Sequence, residues 1–213
     1  MQQKTSNINP PFWPKITIGG IVLFLLLYIL AAKYYPGGSN FYPQEKGFSL
    51  LNNYWCELLG ENAKNGQNNR ARPIALLAML ILTFSISLFW VKLPKLIPMR
   101  LWMSRMLQIS GVISMFSAIF IYSYHHDLSV TISVLFGTLA FLIALYGLYT
   151  HHFMRYFNYC VLCLVLIQVN NFIYLSSILI DYLPILQKIT FIIVFSWIVG
   201  LSMSFLKNNS AEK

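Results

Sequence analysis

Six side chains of the types that bind zinc or move protons are expected at one end of this chain's fold: Cys56, Glu57, His125, His126, Asp127 and Asp181. Thiolates, imidazoles and carboxylates are the usual zinc donors, and histidines and carboxylates the usual acids and bases. Glu57, His125 and Asp127 form a candidate catalytic set. Cys56, His125, His126, Asp127 and Asp181 form a candidate zinc set. Neighbouring histidines point about 100° apart on a helix, so His125 and His126 reach one metal only if the chain unwinds there. Gln168, Asn170 and Asn171 are side-chain amides in an apolar run, candidates to line a polar cavity or to bond between helices. Cys160 and Cys163 have the spacing of a redox pair, but their apolar surroundings read as packing.

The elements that would position these groups follow from composition. Of 213 residues, 57% are hydrophobic and 10% are charged, against about 45–50% and about 25% in a soluble domain. A bilayer is the solvent such a chain needs, and a spanning helix takes about 20 mostly apolar residues. The spacing predicts an all-α bundle in one membrane domain, with about six spans at 16–34, 73–91, 101–124, 128–150, 159–183 and 188–206. The first reads as an uncleaved anchor, and the fifth is predicted to close at Pro184. His125–Leu128 then forms a tight turn. Leu51, Tyr54, Trp55, Leu58 and Leu59 recur at helical spacing and predict an interfacial helix over 49–59, covering one mouth of the bundle.

The net charge of +9 lies in short segments between the spans, a pattern of membrane topology and not of nucleic-acid binding. Lys92, Lys95, Arg100 and Arg105 make one short connection strongly basic, whereas 125–128 carries no Lys or Arg. By the positive-inside rule both termini are cytoplasmic in a cell membrane. The candidate zinc set then shares the outer end, while His151 and His152 lie about 30 Å away across the hydrocarbon core. Ser129, Ser133, Gly137, Ala140, Ala144 and Gly147 form a small-residue stripe that predicts close packing of spans three and four.

ProGlyGly at 36–38, AsnTyrTrpCysGluLeuLeu at 53–59, AsnGlyGlnAsn at 65–68, the proline opening the next span and HisAsp at 126–127 form a longer pattern. In these strings the chain resembles a family of uncharacterised bacterial six-helix membrane proteins, distantly similar to the DRAM-type membrane proteins of eukaryotes. The resemblance covers nearly the whole chain and implies a six-helix bundle without an established activity. TrpCysGlu also resembles the alkaline ceramidases, membrane hydrolases with a metal-activated water. That family has a further histidine pair on its last helix, where 188–206 has none.

The leading expectation is a non-enzymatic bundle that needs no cofactor and interacts with lipid or with a membrane partner. The alternatives are a zinc hydrolase with an outer His/Asp/Glu site, and an uncoupled transporter or channel lined by Gln168 and Asn171.

Overall fold

The computed structural model describes residues 12–120 and 126–211. Among the described residues there are six long helices: α1 (Trp13–Tyr34), α2 (Arg72–Lys92), α3 (Leu101–Ile119), α4 (His126–Thr150), α5 (Met154–Ser176) and α6 (Leu183–Ala211). All but α3 are long and apolar enough to cross a membrane. The expected third span runs on to 124, so its end falls outside the described residues.

Prolines open helices here. Pro14 and Pro73 sit in the first turns of α1 and α2, where a missing N–H removes no helical bond. Pro184 does the same for α6, so it does not close the fifth span as the sequence suggested. That span ends earlier, at Ser176. Ser177 adopts a left-handed conformation and its N–H bonds the Ile173 carbonyl at 2.9 Å. Leu179 is left-handed too, and a short 3-10 turn (Ile180–Tyr182) leads into α6. Lys188, placed by the sequence at the mouth of the last span, therefore lies more than one turn inside α6.

The helices pack in chain order, and α6 returns to α1 to close a ring. Five of the six seams carry a small-residue or polar contact, and the α1–α6 seam carries aromatic ones. At α1–α2, Gly20 lies against Ser85, and Thr17 Oγ1 donates to the Ser85 carbonyl. At α2–α3, Gly111 lies against the Trp90 ring. The predicted α3–α4 pair is present: the hydroxyls of Ser114 and Ser133 each donate to the other's carbonyl, at 2.8 and 3.2 Å, with Gly137 beside Ser114. At α4–α5, Gln168 Nε2 donates to Thr138 Oγ1. At α5–α6, Tyr156 OH donates to the Gly200 carbonyl and Trp197 Nε1 to the Tyr156 carbonyl. Trp13 meets Phe205, and Phe24 meets Phe195, across α1–α6.

Residues 35–71 connect α1 to α2 and roof one end of the ring. The fold of this roof is set by polar residues. Gly37 and Gly38 have φ of 135° and 80°. A Cβ on Gly38 would stand 2.5 Å from Asn65 N, so this crossing admits only glycine. The Asn69 amide donates to the carbonyls of Glu57, Leu58 and Gly60, and its Oδ1 accepts from Ala71 N–H. The predicted interfacial helix over 49–59 contracts to a 3-10 turn, Trp55–Leu59. The reason lies at Asn53, whose side chain takes the Ser49 N–H at 2.8 Å and so turns the chain before a helix can propagate. Leu58 and Leu59 are buried by the bundle instead of lying on its surface. Trp55 inserts among Phe24, Tyr28 and Phe191, with its ring stacked on Phe191 at 5.3 Å.

Candidate functional site

Two chambers occupy the centre of the ring. The first, of about 710 Å³, lies beneath the roof and is lined by polar residues among apolar ones: Asn40, Tyr54, Cys56, Glu57, Lys64, His126, Asn170, Asn171, Tyr174, Gln187 and Thr190. The second, of about 300 Å³, lies deeper and is walled almost entirely by apolar side chains from all six helices. Cys56, Val130, Val134, Ile167, Gln187 and Phe191 line both, forming a neck between them. Both volumes fall within the ~300–1,000 Å³ of small-molecule sites. Trp90 and Phe141 line the inner chamber with ring centroids 5.3 Å apart, and the fully buried Trp197, which lines neither chamber, packs against these two rings at 6.2 and 5.1 Å. From Val130 to Phe141, α4 rises about 16 Å. That is about half of a ~30 Å hydrocarbon core.

The upper chamber gathers several of the candidate residues. Cys56 and Glu57 come from the 3-10 turn, His126 from the start of α4, and Asn170 and Asn171 from α5. Asp127 is exposed, and its Oδ1 accepts from Tyr174 OH at 2.7 Å while lying 2.9 Å from His126 Nδ1. The expected turn over 125–128 thus gives way to helix from His126 onward; His125 itself lies outside the described residues. Asp181 is exposed on the turn before α6 and lines neither chamber. Gln168, exposed, spends its amide on Thr138. Among the described residues, no three His, Cys, Asp or Glu side chains gather as a metal-binding group. At the other end of the bundle His151 Nε2 lies 2.6 Å from the Pro98 carbonyl, and Cys160 and Cys163 are buried packing residues.

Burial shapes the electrostatics beneath the roof. Glu57 is 2% exposed, and loss of solvent pushes its carboxyl above the usual carboxylate range. The Asn53 amide bond and the charges of Lys64 and Lys188 oppose that rise without cancelling it. Loss of solvent, with the Glu57 carboxyl next in size, pushes the Cys56 thiol up to about 12. Cys56 is thus a protonated thiol at neutral pH, not a poised nucleophile.

Sequence reasoning missed the polar tie behind this chamber. Asn53 is fully buried and donates from Nδ2 to both the Gly38 carbonyl and Glu57 Oε2. Lys188, 8% exposed, donates from Nζ to the carbonyls of Asn53 and Pro184 and lies 5.8 Å from the Phe48 ring centroid. One buried cation thereby fastens the roof to α6. The signal for it was Pro184: the other proline-led helices begin within a residue or two of their prolines, and the same rule places Lys188 on an inner turn.

Comparison with family models, with curated proteins and with solved structures finds no match for this chain.

Proposed function

We propose that this membrane-embedded bundle is a non-enzymatic binding protein for single-chain amphiphiles, the polar end held beneath the roof and the hydrocarbon chain in the inner chamber. The observation that carries this reading is the joined pair of chambers, polar above and apolar below, with six residues common to both. The inner chamber reaches about as deep as one leaflet's hydrocarbon. The Trp90 and Phe141 rings in its wall are backed by the fully buried Trp197, which supports a blind site over a pore. The roof faces the outside and both termini face the cytoplasm, because Lys92, Lys95, Arg100 and Arg155 cluster on the short connections at the other end.

Native mass spectrometry of the protein released from nanodiscs tests the binding reading. A bound single-chain amphiphile in the wild-type protein supports it, and failure to take up any amphiphile of varied head and chain sinks it. Sidedness is tested by a Gln67→Cys variant, placed on the exposed roof. An impermeant maleimide labels it on intact cells if the roof is outside.

A hydrolytic reading draws on Cys56, Glu57 and His126 sharing one chamber. It requires stoichiometric zinc in the purified protein, and turnover of an ester- or amide-linked amphiphile that Glu57→Gln abolishes.

A further inference from the structure

We infer that the polar end of the bound amphiphile is an oxyanion, a carboxylate or a phosphate, whose charge is met by Lys64 and whose oxygens take the free hydrogens of Gln187. This inference rests on the amphiphile reading above and specifies the chemistry of its head.

Hydrocarbon alone cannot select a ligand here. An amphiphile reaches the chamber from a bilayer whose interior is as apolar as the chamber walls, so burying its chain adds little hydrophobic free energy. Selection falls to the polar groups of the upper chamber, and the oxygens that would hold a cation there are closed off. Glu57 Oε2 accepts from the Asn53 amide, and its Oε1 is buried in the roof. Asn170 Oδ1 is buried as well. Asp127 lines neither chamber, and its Oδ1 is shared by Tyr174 OH and His126.

The free groups are donors. The Trp55 N–H donates to Gln187 Oε1 at 3.2 Å. A backbone N–H can only donate, so this bond fixes the amide with Oε1 towards the roof and leaves both hydrogens of Nε2 free. Gln187 lines both chambers, so these hydrogens stand at the neck, where the head of an amphiphile gives way to its chain. Lys64 comes from the roof. Its backbone N–H donates to Tyr35 OH at 3.1 Å, and its chain crosses Gly38 too closely to admit a Cβ there. The backbone is thus held, while the ammonium forms no ion pair among the described residues and its flexible stem can follow a head in the chamber. Asn40 and Asn171 also line the chamber, but an amide offers donor and acceptor alike and does not choose a sign.

The charge balance agrees. Lys64 and Lys188 both act on Glu57 and on Cys56, against the single carboxyl of Glu57, whose ionisation is opposed by loss of solvent. The chamber therefore offers one unmatched charge, and it is positive. An oxyanion answers it and accepts from Gln187 at the same time. Such charge-assisted bonds are the strong ones. An ammonium finds no open carboxylate oxygen, and an uncharged hydroxyl leaves the lysine unanswered.

The test uses the full-length protein in a non-ionic detergent at about pH 8, where carboxylate and phosphate heads are ionised. Native mass spectrometry follows titration with dodecanoate, dodecyl phosphate, dodecanol and dodecylamine. At least one of the two anions is expected to bind about tenfold or more tightly than the alcohol and the amine. Lys64→Gln should remove most of that preference and leave the alcohol's affinity unchanged, whereas Lys64→Arg keeps it. Lys46→Gln is the control, since Lys46 is exposed on the roof and lines neither chamber. Gln187→Glu still accepts from Trp55 but replaces the free donor with an oxygen, and should also lose the preference. Dodecanoate ahead of dodecyl phosphate supports the inference with a fatty acid as its source, and the reverse order supports it with a phosphate-headed lysolipid. Equal binding of anions, alcohol and amine, or a preference for the amine, overturns the inference and leaves the amphiphile reading intact. A loss as large in Lys46→Gln as in Lys64→Gln overturns it too, because surface charge then suffices. Uptake of none of the four by the wild-type protein overturns both readings. Should Gln187→Glu fail to fold, the exposed Lys64 decides the matter: an anion preference unchanged in Lys64→Gln overturns the inference.

Discussion

Val134 is the residue at which the two chambers can be separated. It stands half-buried on α4 and lines both, so Val134→Trp places an indole in the neck. The inner chamber holds about 300 Å³. At roughly 24 cal/mol per Å³ of enclosed unfilled apolar volume, a sealed void of that size would cost on the order of 7 kcal/mol, an upper bound for a chamber that opens to its neighbour. That is as large as the ~5–15 kcal/mol net stability of a typical domain. Valine to tryptophan adds about 90 Å³, some three water volumes. If that volume goes into the neck, it recovers roughly 2 kcal/mol of the cavity term. The variant should therefore unfold no more easily than wild type in the absence of amphiphile, and melt higher if the indole seats well. Its amphiphile binding should fall by about tenfold or more, because the chain can no longer pass the neck. Thermal melting with and without dodecanoate, beside native mass spectrometry, reads both effects. Leu135→Trp is the control, since Leu135 is exposed on the outer face of the same helix. Wild-type affinity in a folded Val134→Trp protein would refute the reasoning.

Two further outcomes follow from contacts elsewhere in the chain. At Gly20 an added Cβ would lie 2.5 Å from Ser85 Cβ and 1.8 Å from its Oγ. Gly20→Ala should therefore cost about 1–3 kcal/mol by overpacking, and Ser85→Gly should restore much of the loss in the double variant. A cycle of melting temperatures that shows no coupling would refute the direct α1–α2 contact. Because the Cys56 thiol is held up at about 12, less of it is thiolate at any given pH than of an ordinary thiol. Its maleimide labelling near pH 8 should be roughly a thousandfold slower than that of an exposed cysteine, rising about tenfold per pH unit over the alkaline range. Mass spectrometry of the timed reaction checks this, and labelling at the rate of a Gln67→Cys thiol would count against the buried placement.

Five of the six expected spans match helices long and apolar enough to cross a membrane, and they were legible in the sequence because each depends on a local property, the transfer of about 20 consecutive residues into hydrocarbon. The Ser133 and Gly137 contacts of α3 with α4 were legible for a similar reason, since helical periodicity puts small residues on one stripe. The meeting of Cys56, Glu57 and His126 around one chamber was anticipated only as a shared end of the bundle, and Asn170 and Asn171 were expected separately, as amides within the fifth span that line a polar cavity or bond between helices. Three things required the tertiary structure. The roof turned inward instead of lying flat because one asparagine, Asn53, competes with the helix for its backbone. Lys188 became a buried tie because α6 begins five residues before it, at a proline-led start. The cavity exists because the six helices close into a ring, and its lining comes from residues as distant as Cys56, Val134 and Ile198. Amphipathic periodicity reports which side of a helix is apolar. In a membrane bundle the lipid-facing and inward-facing sides are both apolar, so the interior, and with it the candidate site, is decided by how the helices pack.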